Sequence, residues 1–310
     1  MQQKIAVIVP YFGKYPEWIE LFFYSCAMNK TIDFYFFTDC ELPENQEKNL
    51  FFKQISFADY CKDVSEKLQI NFAPKSPYKL CDLKVFYGKI HEDILAGYDF
   101  WGFGDVDLLW GDIQKFYSNE LLEKYDVFST HADRISGHLA LFRNTEYYRN
   151  LCFEIKNWQQ KLTDNKNYAL DETEFSNLIY PKSKIIKKIY SKIIRKIFNW
   201  RDAWVIYYRI VPLWNFLFLP RKIYFKEQFT TPILYNDGRT YKHDSDTWCY
   251  ENGKIINAKN GKEYIYLHFM IFKKNNFRDD HFWVENFYNV DKPLKNNDIL
   301  INKSGFYIKK

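Results

Sequence analysis

The six cysteines of this chain (Cys26, Cys40, Cys61, Cys81, Cys152 and Cys249) are scattered, and no two stand in a C-x-x-C pair. That spacing supports neither a disulfide framework nor a zinc site, and it fits a reducing cytosol. No run of 18 uninterrupted apolar residues occurs, so nothing in the sequence spans a bilayer. The apolar run after Lys4, Ile5 to Pro10, is too short for the core of a signal peptide and reads as a first strand. Internal repeats and low-complexity linkers are also missing. With a net charge of only +5, the chain lacks the basic surplus of a nucleic-acid-binding protein, and no nucleic-acid partner is expected.

What is abundant is aromatic: 29 Phe, 25 Tyr and 9 Trp make up 20% of the 310 residues. Rings offer flat apolar area with a polar edge, which suits carbohydrate surfaces and membrane interfaces. An AT-rich coding sequence also favours Phe, Tyr, Ile, Lys and Asn, and accounts for most of this bias. The length allows a substantial core, as one large domain or one domain with an appendage.

Ile5-Ala6-Val7-Ile8-Val9 reads as a strand covered on both faces, closed by Pro10-Tyr11-Phe12-Gly13. A helix is expected from Trp18 to Met28 after Pro16, and a second strand over Asp33–Asp39. Ser56 would cap a helix running to about Leu68. Tyr78 to Leu95 looks helical, Tyr98 to Gly104 is a strand, and short strands follow at Val127–Thr130 and Leu139–Phe142. The alternation predicts an α/β fold with a mainly parallel central sheet and flanking helices. After Pro181 the pattern changes to a basic, apolar stretch and then a Lys/Asn-rich tail with strand-like runs such as Tyr264–Phe269.

The Tyr98–Gly104 strand runs into Asp105-Val106-Asp107. Carboxylates beside apolar surface are costly unless paired, hydrogen-bonded or bound to a metal. Two of them where a buried strand ends point to a cation site at the carboxyl edge of a sheet, where open α/β folds bind ligands. Spacing alone is weak evidence, because chance placement of this many aspartates yields about one or two such pairs. A second pair, Asp244 and Asp246, sits among Lys242, His243 and Thr247 and reads as a solvated turn. Asp112 reads as a helix cap.

The order of Val9-Pro10-Tyr11, Phe37-Thr38-Asp39, Lys79-Leu80-Cys81-Asp82-Leu83-Lys84 and Gly104-Asp105-Val106-Asp107 resembles glycosyltransferases of the GT-A fold. Bacterial enzymes of capsular polysaccharide and lipopolysaccharide O-antigen synthesis are the nearest in pattern. The resemblance covers about residues 4–180 and resumes near Tyr266-Leu267-His268-Phe269. It implies a GT-A catalytic domain over 1–181 and 222–310. By that resemblance Asp105 lies near the donor ribose and the metal, and Asp107 coordinates a divalent cation, Mn²⁺ or Mg²⁺, on the sugar-nucleotide diphosphate. Pro10, Tyr11 and Phe12 would sit against the nucleotide, a UDP-sugar. Asp39 would accept hydrogen bonds from base or ribose, and Asp82 and Lys84 would contact donor sugar or phosphates. Each of these also reads as a cap or a surface charge.

His268 is the expected third metal ligand, as many GT-A enzymes supply a late histidine. A histidine satisfied inside its strand is the competing reading, with His281 as the fallback ligand. The segment Asp133, Arg134, Ser136, Gly137 and His138 would line the donor-sugar and acceptor pocket, Gly137 admitting close approach. Asp171 and Glu172 open an expected helix at Thr173, where acidic residues suit the N-terminus. They also resemble the acidic pair that provides a general base in inverting enzymes, and so favour inversion over retention.

From Lys184 to Phe198 apolar and basic pairs alternate near the helical period, with no acidic residue between Lys182 and Arg201. Trp200, Trp204, Tyr207, Tyr208 and Trp214 follow. The insert 182–221 reads as an amphipathic element docking through 184–218 on the anionic inner face of the cytoplasmic membrane. Packing on the core is the alternative. The whole is expected to be a metal-dependent glycosyltransferase with a glycan or lipid-linked acceptor, at the membrane on the cytoplasmic side. The rivals are a nucleotidyltransferase, although only Gly13 stands where its glycine-rich phosphate loop would be, and a non-catalytic membrane-peripheral scaffold.

Overall fold

The computed structural model describes residues 2–44, 47–131, 134–180, 192, 195–197, 206, 210, 222–226, 228, 230, 247–273, 283, 289–290 and 296–309. Its central sheet uses β1 (Ile5–Pro10), β2 (Ile32–Thr38), β3 (Leu50–Gln54), β4 (Phe100–Gly104), β6 (Val127–Ser129), β7 (Leu139–Arg143) and β8 (Ile223–Phe225). The strand order is β3-β2-β1-β4-β7-β6-β8. Pairing is parallel from β3 to β4 and between β6 and β8, and antiparallel where β7 meets β4 and β6. The expected α/β class with a mainly parallel central sheet is therefore what the chain adopts. β1 and β4 read as continuous apolar runs because both faces are covered, and all five residues of β4 are buried.

Two hydrophobic layers sandwich this sheet. On one face lies the helix Ile19–Met28 (α1), whose Leu21, Phe22, Phe23 and Cys26 are buried. Its start agrees with the sequence reading to within a residue, but Trp18 occupies the cap position without a side-chain cap. On the other face lie the helix Phe57–Leu68 (α2) and the segment after Pro77. Ser56 caps α2 as expected, its Oγ accepting the Asp59 N–H at 3.0 Å.

Two expected helices take other forms. Tyr78–Leu95 is a 3₁₀ helix over Pro77–Phe86, followed by one α-helical turn at Tyr87–Ile90. In a 3₁₀ helix residues i and i+3 eclipse. Here Lys79 and Asp82 form a buried pair across that interval, 2.9 Å apart. The helix expected at Thr173 begins earlier, as a π-turn Asp171–Phe175 that leads into Ser176–Ile179.

The C-terminal segment builds more than its strand-like runs indicated. Strands β9 (Trp248–Glu251), β10 (Lys254–Asn257), β11 (Glu263–Tyr264), β13 (Asn289–Val290), β14 (Ile299–Asn302) and β15 (Gly305–Ile308) form a second sheet. Its Trp248, Tyr250, Ile299, Ile301 and Phe306 share one apolar cluster with α1, so the two sheets have a continuous core. The run Tyr264–Phe269 is split. β11 joins the second sheet, while β12 (Tyr266–His268) pairs antiparallel with β5 (Leu108–Trp110). Of the insert 182–221, only Lys192, Arg195–Ile197, Ile206 and Ile210 are described, so its expected amphipathic face lies outside the described residues. Asp133, Asp244, Asp246 and His281 lie outside them too.

Candidate active site

Because β1, β2 and β4 run parallel, their carboxyl ends deliver Pro10, Asp39 and Asp105 to one edge of the sheet. The turn Asp105–Asp107 joins β4 to β5 there. Trp18 braces it from α1 through Nε1 to the Val106 carbonyl at 2.9 Å. Downstream, the Trp110 N–H donates to Ser25 Oγ at 3.1 Å, and the Ile113 N–H to Asn29 Oδ1 at 2.9 Å. Asp112 is the helix cap it was read as, accepting the Lys115 N–H at 3.0 Å.

The β12–β5 register sets His268 opposite Leu108 and therefore beside Asp107. Immediately after it, the Phe269 N–H donates to the Asp107 carbonyl at 2.8 Å. Phe269 is wedged among Trp18, Phe272, Trp283 and Phe306, with ring centroids 5.1–6.0 Å away. Truncating such a buried ring costs about 3–5 kcal/mol, so the turn carrying His268 is held by packing. The same turn delivers Lys273. His268 Nε2 and Lys273 Nζ converge on one oxygen, Asp107 Oδ2, at 3.3 and 2.8 Å. Burial works against charge on Asp107, but His268 and Lys273 outweigh it and hold the carboxyl well below its ordinary range.

Asp105 has a different partner. Its Oδ1 lies 2.5 Å from Nζ of Lys84, which also donates to the Gly137 carbonyl at 2.7 Å. Lys84 is buried, which opposes its charge, yet Asp105, Cys81 and Asp171 together raise its pKa. The three expected metal ligands thus separate: Asp107 and His268 come together, while Asp105 is held by Lys84. Among the described residues no three His, Cys, Asp or Glu side chains form a metal-binding cluster. The remaining pair still fits a divalent cation. A carboxylate oxygen and an imidazole nitrogen 3.3 Å apart are near the spacing of adjacent ligands on one ion, about 3 Å. Such an ion commonly takes one or two protein ligands and completes its shell with phosphates and water.

Beyond Gly137 lies the acidic pair. A Cβ built on Gly137 would meet Asp171 Oδ2 at 2.8 Å and Glu172 Oε1 at 3.2 Å, so only glycine leaves room for both carboxylates. Asp171 is 4% exposed, not the solvated helix start that its sequence position indicated. Burial raises its pKa to about 7; Lys84 opposes that shift and Glu172 adds to it. Glu172 lies 3.5 Å from Arg134 Nε. Ser136 and His138 belong to a closed ring of hydrogen bonds with Thr130 and Tyr266, spaced 2.6–3.1 Å. His138 is buried, which depresses its pKa strongly, and its ring lies 4.6 Å from that of His268.

Two donor-side expectations change, those for Asp82 and Phe12, and Asp39 gains a partner within the chain. Asp82 is fully buried and accepts from Lys79 Nζ at 2.9 Å and from the N–H groups of Tyr168 and Leu170 at 3.0–3.2 Å. A dry carboxylate with three donors is satisfied, so Asp82 anchors the 168–170 loop and is not presented to a donor. Phe12 is buried against Phe57 and Tyr60, 5.2 Å from each ring, which leaves Tyr11 as the aromatic at the strand end. Asp39 Oδ1 accepts the Gly13 N–H at 2.7 Å and so secures the Pro10–Gly13 turn, with Gly13 at φ +107°. Sequence reasoning missed Lys273 and Tyr266. A lysine in a Lys/Asn-rich tail carries no linear signal.

The sequence model of the Family of unknown function (DUF6625) matches residues 7–306. The chain belongs to that family. The family description names no activity, and no curated protein matches the chain. Among solved structures the chain is similar to the galactosyltransferase LgtC in complex with donor and acceptor sugar analogues. Identity is 12% and the TM-score 0.33, over 56% of this chain and 70% of that one. It is also similar to the glycosyltransferase GlyE of Streptococcus pneumoniae TIGR4, at 12% identity and TM-score 0.31, over 71% and 66%. For the apo form of GlyE the TM-score is 0.33, over 68% and 63%.

Proposed function

We propose that this chain is a glycosyltransferase, moving a sugar from a nucleotide-sugar donor, a UDP-sugar, to a glycan or lipid-linked acceptor. The observation that carries the reading is the convergence of Asp107, His268 and Lys273 at the carboxyl edge of β1, β2 and β4. That edge is where a parallel sheet receives a nucleotide. A departing nucleoside diphosphate gains negative charge, and a preorganised ammonium such as Lys273 stabilises it most in the transition state. Asp107 and His268 would hold Mn²⁺ or Mg²⁺, which when bound supplies Lewis-acid stabilisation of the same diphosphate.

Tyr11 is the ring available to the nucleobase. Lys84 fixes Asp105 and the Gly137 loop, the floor of the sugar pocket. Asp171 has the properties of a general base for an acceptor hydroxyl: it is water-poor and ionises near neutral pH. Such a base favours inversion of the anomeric centre. Glu172 and Arg134 would flank the acceptor. Supporting a nucleotide-sugar over nucleotidyl transfer, the Gly13 N–H is already used by Asp39 and is not left to cradle a triphosphate. We further propose that segment 184–218 brings the enzyme to the anionic inner face of the cytoplasmic membrane and its lipid-linked acceptor, within surface polysaccharide synthesis. Among the described residues no helix is long and apolar enough to cross a membrane.

Calorimetry with UDP and GDP, with and without Mn²⁺, tests the reading, followed by a hydrolysis screen of nucleotide-sugars. Metal-enhanced UDP binding that Asp107→Ala abolishes is the expected result. Absence of nucleotide binding, or an unchanged Asp107→Ala variant, overturns it.

A further inference from the structure

The same oxygen that would ligate a cation already has an ammonium against it. Lys273 Nζ lies 2.8 Å from Asp107 Oδ2, and His268 Nε2 approaches that oxygen at 3.3 Å. Asp105 is likewise matched by Lys84 at 2.5 Å. The two carboxylates of the turn are thus balanced by two ammonium groups before any ligand arrives. A bare divalent cation entering this site meets carboxylates that are already paired, and it has to displace Lys273 while remaining close to it.

A nucleoside diphosphate changes that balance. Its phosphates bring the missing negative charge and offer Lys273 a second acceptor. Lys273 is the group placed to answer, because its side chain is 31% exposed whereas that of Lys84 is 8%. Tyr11 and Tyr78 are its further titratable neighbours. Neither supplies a fixed counter-charge, so among the described residues the carboxylates of Asp107 and Asp105 are the charged groups that hold the ammonium.

We infer that Lys273 and the divalent cation compete for Asp107, so the free enzyme binds the cation weakly and the nucleoside diphosphate opens the site by drawing Lys273 onto its phosphates. This deepens the glycosyltransferase reading and rests on it. Cation and nucleotide are then coupled reciprocally: each tightens the other by one factor. The lysine acts as a gate on metal loading, keeping the site closed to cations that arrive without the diphosphate.

The competition gives one substitution opposite effects on two ligands. Free Mn²⁺ is measured by electron paramagnetic resonance, without nucleotide, on wild type, Lys273→Met and Lys273→Arg. UDP binding is measured by calorimetry on the same three proteins, with and without Mn²⁺. Lys273→Met is expected to bind Mn²⁺ alone at least about tenfold more tightly than wild type, and UDP alone about tenfold more weakly. The mutual enhancement of the two ligands should shrink accordingly. Lys273→Arg keeps the charge and should retain weak Mn²⁺ binding. Mn²⁺ affinity that is unchanged in Lys273→Met, or raised equally in Lys273→Arg, overturns the competition. Failure of wild type to bind UDP or GDP under any condition overturns instead the glycosyltransferase reading, whatever the Mn²⁺ result on the lysine variants.

Discussion

Lys84 Nζ stands 2.5 Å from Asp105 Oδ1 and 2.7 Å from the Gly137 carbonyl oxygen, so one buried ammonium ties the aspartate turn to the loop facing Asp171. Removing it in Lys84→Met leaves Asp105 without its partner. Breaking a buried pair costs about 3–5 kcal/mol. Because the Asp105 side chain is 33% exposed, water recovers part of that, and about 2 kcal/mol is expected. The midpoint of urea unfolding should fall at constant slope. An unchanged midpoint would mean that water replaces the ammonium at no cost.

Asp171 should make stability depend on pH. Its folded pKa is raised from 3.8 to about 7, so the folded chain keeps a proton that the unfolded chain releases. The stability this contributes is complete below about pH 4 and is lost as pH rises through about 7. Asp171→Asn removes the titration. Its advantage over wild type should grow across that window and then level off, on the order of 2–4 kcal/mol. Thermal unfolding across pH checks this; parallel curves for the two proteins would refute it. If Asp171 is the base, the same variant loses turnover while donor binding persists.

Gly137→Ala inserts a methyl group 2.8 Å from Asp171 Oδ2 and 3.2 Å from Glu172 Oε1. The carboxylates have to shift, and Asp171, being buried, has little room to do so. Transfer rate is expected to fall at least about tenfold, since small displacements of reacting groups are costly, with UDP affinity preserved. Equal loss in both would place Gly137 in donor binding instead.

Deleting residues 184–218 should abolish flotation with anionic liposomes and leave UDP binding in solution intact. Flotation that survives the deletion refutes the membrane role of the segment.

Residues whose chemistry is local were legible. The apolar run into Asp105 marked a buried strand, Ser56 and Asp112 marked caps, and both behave so because a cap is settled within about four residues. Asp82 was not legible as an anchor. A carboxylate in a Lys-x-x-Asp spacing looks the same whether it faces a ligand or the loop that buries it. The second sheet was hidden as well, since its strands are short, and β9 (Trp248–Glu251) pairs with β14 (Ile299–Asn302) far along the chain.

The sequence by itself determined the α/β class and the strand that carries Asp105 and Asp107 to a sheet edge, because periodicity and strand ends are properties of contiguous residues. Tertiary structure alone decided how those groups divide. Pairing of β12 with β5 sets His268 and Lys273 against Asp107, while the 3₁₀ helix presents Lys84 to Asp105 and spends Asp82 on a loop. These partners lie between 21 and 166 residues apart, since Lys84 and Asp105 span 105 − 84 and Asp107 and Lys273 span 273 − 107. No linear pattern fixes which ammonium faces which carboxylate; the β12–β5 pairing and the packing of the 3₁₀ helix do.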